Sequence, residues 1–314
     1  MATKPKTKGT KKPAKAVKAK AVESALHEAV KSGGCRGIRE AIAAGDALDA
    51  PNPAGLCAIH LAILRGEPIL LEELIEHKVD LSVRTLKDVE GKRGVVAFGG
   101  RTALAMAADH DDVEMIDLLL AAGADVDGTV CDDELYTPLR CAALAGASKA
   151  VKALLAGGAD KNSRCKAGYD HTPLHEAAKR SGKKHVEIVR LLLEAGAEPD
   201  APLTIGTTPL AMAANSYPSE HVCETIALLL RYGADPRRGT DPRDGWSPLH
   251  WAVYWSGTTT GDAGVVELLL GAGADRTAVT TKDYRHLDGM IPAGSTPADV
   301  ARTIGATELA GQLA

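Results

Sequence analysis

The apolar positions of this chain fall into short blocks that return in the same order over most of its length. A block opens on Thr-Pro-Leu or a close variant, continues with a pair of small residues, then carries branched residues and a Leu triplet, and closes on Gly-Ala. Residues 171–198 show it in full, with Thr172-Pro173-Leu174-His175, Ala177-Ala178, Ile188-Val189, Leu191-Leu192-Leu193 and Gly196-Ala197. Each part predicts a local conformation. Proline suits the first helical turn, where its missing N–H is not needed, and the Thr or Ser before it can accept free N–H groups of that turn. The glycines at 45, 123, 158, 196, 233 and 273 follow the apolar triplets. There a helix stops by entering the left-handed region, which costs a side chain about 1–2 kcal/mol. A block thus predicts two antiparallel helices, brought close by the Ala pair, with the Leu triplet filling the space to the next block.

This order resembles the ankyrin repeat, a β-turn finger followed by two antiparallel helices, with the signature T-P-L-H-x-A at a period of about 33 residues. Further blocks carry Ala58-Ile59-His60, Thr102-Ala103-Leu104, Thr137-Pro138-Leu139, Thr208-Pro209-Leu210 and Ser247-Pro248-Leu249-His250. The resemblance implies an all-α solenoid with β-turn or hairpin fingers, of about eight helix-turn-helix units including two capping repeats. The caps are expected around Ala25-Leu26-His27 and from Thr296-Pro297-Ala298 onward. It also implies that His27, His60, His175 and His250 bond backbone in the turns. The domain reading is a disordered lysine-rich tail over 1–21 and a repeat domain over 22–314.

Two departures from the period stand out. The junctions from Lys78, where a helix-ending Gly is expected, to Thr102 and from Gly273 to Thr296 are long. Thr85-Leu86-Lys87-Asp88-Val89 matches Thr281-Lys282-Asp283-Tyr284, and Gly94–Gly99 matches Gly289–Gly294, which predicts two extended hairpins. The turn between paired helices is also lengthened at Ser181–Lys184, Ser216–Ser219 and Ser256–Gly261, along one edge. Insertions of this kind often mark the binding face.

Charge sharpens the picture. Eight of the 37 basic residues lie within residues 1–20, leaving 29 against 41 acidic ones, so the body is near −12 although the chain totals −4. The tail is expected to be a solubilising arm or, in a rival reading, a contact to nucleic acid through counterion release. Six cysteines without a C-x-x-C pair are expected as free thiols in a reducing compartment. With no membrane helix or signal peptide recognised, a cytosolic protein is expected, or a nuclear one if the host has a nucleus.

Catalytic chemistry is sought without result. His27-Glu28-Ala29-Val30-Lys31 and His175–Lys179 begin like the zinc motif H-E-x-x-H, but Lys stands where the second ligand belongs. No cofactor, metal or catalytic residue is assigned. By the resemblance, the residue before Thr-Pro and the two after the small pair face a concave groove. Those slots hold Leu64 and Arg65; Arg101, Asp109 and His110; Tyr136; His171, Lys179 and Arg180; Thr207 and Asn215; and Trp246, Tyr254 and Trp255. Trp246, Tyr254 and Trp255 are expected as binding anchors, and Trp251, next to His250, as core. The expected protein is a monomeric, non-enzymatic binding module whose partner, another protein with acidic and apolar surface, lies along the groove and fingers. The rivals are a nucleic-acid or chromatin adaptor acting through residues 1–20, and an inhibitor or immunity protein that blocks a partner enzyme.

Overall fold

The computed structural model describes residues 23–91, 94–128, 137–164, 170–180, 182–216, 219–239, 241, 243–258, 263–286 and 289–314. The tail assigned to residues 1–21 lies outside them, as do Tyr136, Cys131 and Cys165. Among the described residues sixteen helices form antiparallel pairs. They are α1 (Ala25–Ser32) with α2 (Cys35–Ala43), α3 (Ala58–Arg65) with α4 (Pro68–Glu76), and α5 (Ala103–Asp109) with α6 (Val113–Ala121). Next come α7 (Pro138–Ala145) with α8 (Ser148–Ala156), α9 (Pro173–Ala178) with α10 (Lys183–Glu194), and α11 (Pro209–Ala214) with α12 (Glu220–Arg231). The last are α13 (Pro248–Thr258) with α14 (Gly264–Gly271) and α15 (Pro297–Thr303) with α16 (Thr307–Leu313).

The first helix of each pair packs on the first helices of its neighbours, from α1 through α15, and the second helices from α2 through α14 form a parallel layer. Between the layers lies one continuous core, in which Leu104, Leu139, Leu174, Leu210 and Leu249 from the Thr-Pro-Leu blocks are all buried. The starts and stops are those the sequence predicts. Thr102, Thr137, Thr172, Thr208 and Thr296 each accept a backbone N–H from their own first turn. The six named glycines sit at φ from +82° to +94°, and Lys78 adopts the same conformation at +62°.

The motif histidines do bond backbone. Nδ1 of His27, His60, His175 and His250 accepts the backbone N–H of the helix cap at 3.1–3.3 Å. Nε2 faces a carbonyl at the head of the following unit, Ala50, Val83, Thr207 and Ser295, at 3.0, 3.2, 3.4 and 3.1 Å. Each imidazole is thereby set as the neutral Nε2–H form. Burial, only partly offset by the carbonyl, lowers the pKa of His60 to about 4, and with the neighbouring His171 lowers that of His175 to about 3.

Both predicted hairpins form. Strand β1 (Val89–Gly91) pairs antiparallel with β2 (Gly94–Ala97), and β3 (Tyr284–His286) with β4 (Gly289–Ile291). Their register corrects the sequence match by one residue, because Thr85 corresponds to Thr280 and not to Thr281. Thr85 exchanges backbone hydrogen bonds with Gly100 and Arg101, as Thr280 does with Gly294 and Ser295. Their hydroxyls donate to the carbonyls of Phe98 and Pro292 across each hairpin. Asp88 and Asp283 accept the N–H groups of Gly99 and Ala293.

Candidate functional site

A cleft of about 260 Å³ opens on the side of the molecule formed by the first helices and the loops that precede them. Three successive units build it. Its apolar surface comes from Leu203 and Ile205 in the loop before α11, Met212 on α11 and Trp251 on α13. Its polar rim holds His171, Lys179, Thr207, Asn215 and the pair Asp241–Arg243. Four of these, His171, Lys179, Thr207 and Asn215, occupy slots the sequence assigns to the groove.

The aromatic cluster at the end of the cleft corrects the sequence reading. Trp246, expected as an exposed anchor, is wholly buried, and Tyr254 retains only 9% of its surface. Trp251, expected as core, is half-buried and lines the cleft, so the two indoles exchange roles. The cause is the second hairpin. Tyr284 on β3 lays its ring 4.7 Å from that of Trp246, while Trp251 lies tilted against the same indole at 4.3 Å. Trp246 is closed off on both sides, its indole N–H without an acceptor among the described residues. Trp255 is half-buried and donates from Nε1 to Oδ1 of Asn215 at 3.3 Å, which ties α13 to the end of α11.

The basic slots also divide. Arg101 is buried, bonded to Asp109 at 3.1 Å with its guanidinium 5.4 Å from the centre of the Phe98 ring. It is part of the wall and not a free rim charge, because the hairpin from which it emerges folds over it. Arg65 is exposed but bonds the Lys31 carbonyl and the Glu67 carboxylate. His110, Lys179, Arg180 and Asn215 are exposed as expected.

One buried ionic group escaped the sequence reading. Arg140 on α7 bonds Glu176 on α9 at 2.7 and 3.1 Å, and His171 Nδ1 donates to the same carboxylate oxygen at 3.1 Å. Burial pushes the Glu176 carboxyl up, but the hydrogen bonds from His171 and Arg140 and the guanidinium charge outweigh it and hold it at about 2. The available signal was Arg140 itself, which stands in the slot of the motif histidine.

Among the described residues no group of three or more His, Cys, Asp or Glu side chains could hold a metal ion, and no helix is long and apolar enough to cross a membrane. Cys35, Cys57, Cys141 and Cys223 are free thiols.

A family model described as "Ankyrin repeats (3 copies)" matches residues 26–130, 82–165, 127–202 and 174–280. The chain is 32% identical over 173 residues to the nuclear factor NF-kappa-B p105 subunit of Gallus gallus, a match covering 55% of this chain and 14% of that protein. It therefore spans about a seventh of that relative's length. Among solved structures, the ankyrin repeat domain of human ASB11 superposes with a TM-score of 0.61 at 24% identity, over 81% of this chain and 99% of that one. The ankyrin repeat domain of Bcl-3, of the IkappaB protein family, gives 0.62 at 22%, over 80% and 100%. At that identity both speak for the fold alone.

Proposed function

Because this chain belongs to the ankyrin repeat family, whose domains act as non-catalytic protein-binding modules, we propose that its own partner is a protein held in the groove at α9, α11 and α13. In this reading the eight helix pairs are eight repeats, with α1–α2 and α15–α16 as the caps. One observation carries it. The cleft joins an apolar floor of Leu203, Ile205 and Met212 to a polar rim drawn from three consecutive repeats, the composition of a recognition site for one side chain and its neighbours. Trp251 replaces Trp246 as the aromatic anchor, and Trp255 with Asn215 forms the adjoining shoulder.

The test is site-specific photocrosslinking. A photoreactive residue at Ile205, in the cleft, should trap a discrete partner in extracts of the source cells, whereas the same residue at Tyr232, exposed at the end of the outer helix α12, should not. No adduct from Ile205, or equal adducts from both, overturns the reading.

A further inference from the structure

Past Lys179 the cleft runs onto an edge of the molecule that the groove alone does not explain. The turn from α9 to α10 carries Lys179, Arg180, Lys183 and Lys184, four exposed cations with no ion pair among the described residues. The two acids nearest in sequence are engaged elsewhere, Glu176 with Arg140 at 2.7 Å and Glu187 with Arg190 at 3.5 Å. Helix α10 is twelve residues long and begins after Gly182, which supplies no side chain to cap it. Among the described residues the first N–H groups to find a carbonyl there are those of His185 and Val186, both on Gly182, and the first turn of α10 adds the positive end of the helix to the four charges. In a body near −12 this is a local reversal of sign. Lys179 belongs to both regions. Its side chain lines the cleft, and its carbonyl is held by the Ser216 hydroxyl at 2.9 Å, which fixes the edge relative to α11.

We propose that cleft and edge form one two-part site for an extended segment of a partner protein, whose run of carboxylates lies along Lys179–Lys184 while an adjacent apolar side chain enters the cleft against Met212 and Trp251. This rests on the groove reading and adds to it the chemistry and the polarity of the segment. Three features select an acidic protein segment. The cations sit on separate flexible stems, three of them lysines, and so match charges spread along a chain better than a single dianion, which would call for converging arginine forks. The cleft beside them has an apolar floor, which a phosphate backbone cannot use. On its far wall Asp241 is buried and neutralised by Arg243 at 2.6 Å, so the attraction for anions lies at one end only and sets the direction of the segment. A nucleic acid tracking the whole groove would leave this edge for a body whose net charge is near −12.

The experiment measures fluorescence anisotropy of the full chain with labelled hexaglutamate and with hexaglutamate joined through Gly-Gly to a leucine at either end. Lys183→Glu/Lys184→Glu is compared with Lys11→Glu/Lys12→Glu, which changes the net charge equally but lies in the tail. The edge variant should weaken hexaglutamate binding about tenfold, the loss of two modest charge pairs together with repulsion from the two new carboxylates, and the tail variant far less. One of the two leucine peptides should bind more tightly than hexaglutamate, and Trp251→Ala should remove that gain. The proposal is overturned if the edge variant binds hexaglutamate like the unmodified protein, if the tail variant loses as much, if leucine adds nothing at either end, or if a thymidine dodecamer binds more tightly than the leucine peptides. Crosslinking from Ile205 alongside any of these results would leave the groove reading standing and remove only this one.

Discussion

The two long hairpins share a backbone and differ in what their side chains touch. In both, a threonine hydroxyl bridges the strands and an aspartate receives an N–H from across the loop. Both are also tied to the preceding finger, Leu86 N–H to the Gly55 carbonyl at 2.9 Å and Thr281 N–H to that of Asp244 at 2.7 Å. The strand position after Lys-Asp holds Val89 in one and Tyr284 in the other. Tyr284 joins Trp246, Trp251 and Tyr254 in the aromatic cluster. The first hairpin has no such cluster and leaves Leu86 66% and Phe98 43% exposed, while the second leaves Met290 53% exposed. Polar side chains bonded to backbone are enough to make a hairpin at either place. That one strand residue separates them, because Tyr284 ties the second hairpin to Trp251, which lines the cleft, and Val89 offers the first hairpin no ring.

The largest expected effect breaks this comparison at its anchored end. Trp246→Ala should cost about 3–5 kcal/mol in urea unfolding, as for other large buried aromatics, while Phe98→Ala at the first hairpin should cost less than about 1 kcal/mol. Because the loss falls in one repeat of an array, it should show first as exchange of the amides of α13 to α16.

Next comes pH, which acts at the base of both hairpins through His60 on Val83 and His250 on Ser295. A histidine kept neutral by burial binds its proton less readily in the folded chain than in the unfolded one. Its contribution is therefore complete above the unfolded value of about 6.5 and is lost as pH falls toward about 4, the folded value of His60. Over that interval His60 alone should remove on the order of 2–3 kcal/mol. His60→Gln should lower stability at pH 7 and flatten this dependence, as read from urea midpoints at a series of pH values.

The shared frame gives a smaller and more pointed test. Thr85→Val and Thr280→Val each remove the bridging hydroxyl and leave a buried N–H, that of Arg101 or Ser295, without its acceptor, so each should cost about 1–3 kcal/mol. The two losses should agree within about 0.5 kcal/mol if the frames are equivalent. A clear inequality would mean that the aromatic cluster, and not the frame, holds the second hairpin.

The smallest effect concerns the residue that leads into each hairpin, Lys78 at φ +62° and Gly273 at +89°. Lys78→Gly should stabilise by about 0.5–1 kcal/mol and Gly273→Ala should destabilise by about 1 kcal/mol, since a Cβ at Gly273 meets no atom within 4 Å and the backbone conformation alone sets the cost.

Much of the fold was legible because its signals are local. Thr-Pro states where a helix starts, and Gly after a Leu triplet states where it stops, without reference to anything distant. The hairpins were legible from length and apolar content, although their register needed the paired hydrogen bonds of Thr280. The site was legible only in part, since a groove slot is defined within one unit and its exposure is decided by the next. Nothing near Trp246 says that Tyr284 will cover it. The one clue was the single aromatic, Tyr284, in the long junction before Thr296. The pairing of Arg140 with Glu176 likewise spans two units: Arg140 in the slot of the motif histidine marks a departure, but nothing in its own unit names Glu176 as the partner.

The histidine clasps also set how the array would respond to force. They link successive units wherever the slot holds a histidine, and Arg140 in that slot on α7 reaches Glu176, but Ala105 and Ala211 stand there on α5 and α11, and neither methyl can reach the next loop. The α11–α13 junction carries, in addition, the hollow of the cleft, and its tie from Trp255 to Asn215 lies at the exposed surface and not in the core. Drawn out from its two ends in an optical trap, the protein should part there before it parts at a clasped junction, dividing into two shorter stacks. A ligand seated across the cleft would act as a splint over this weakest joint, and the rupture force would then report occupancy.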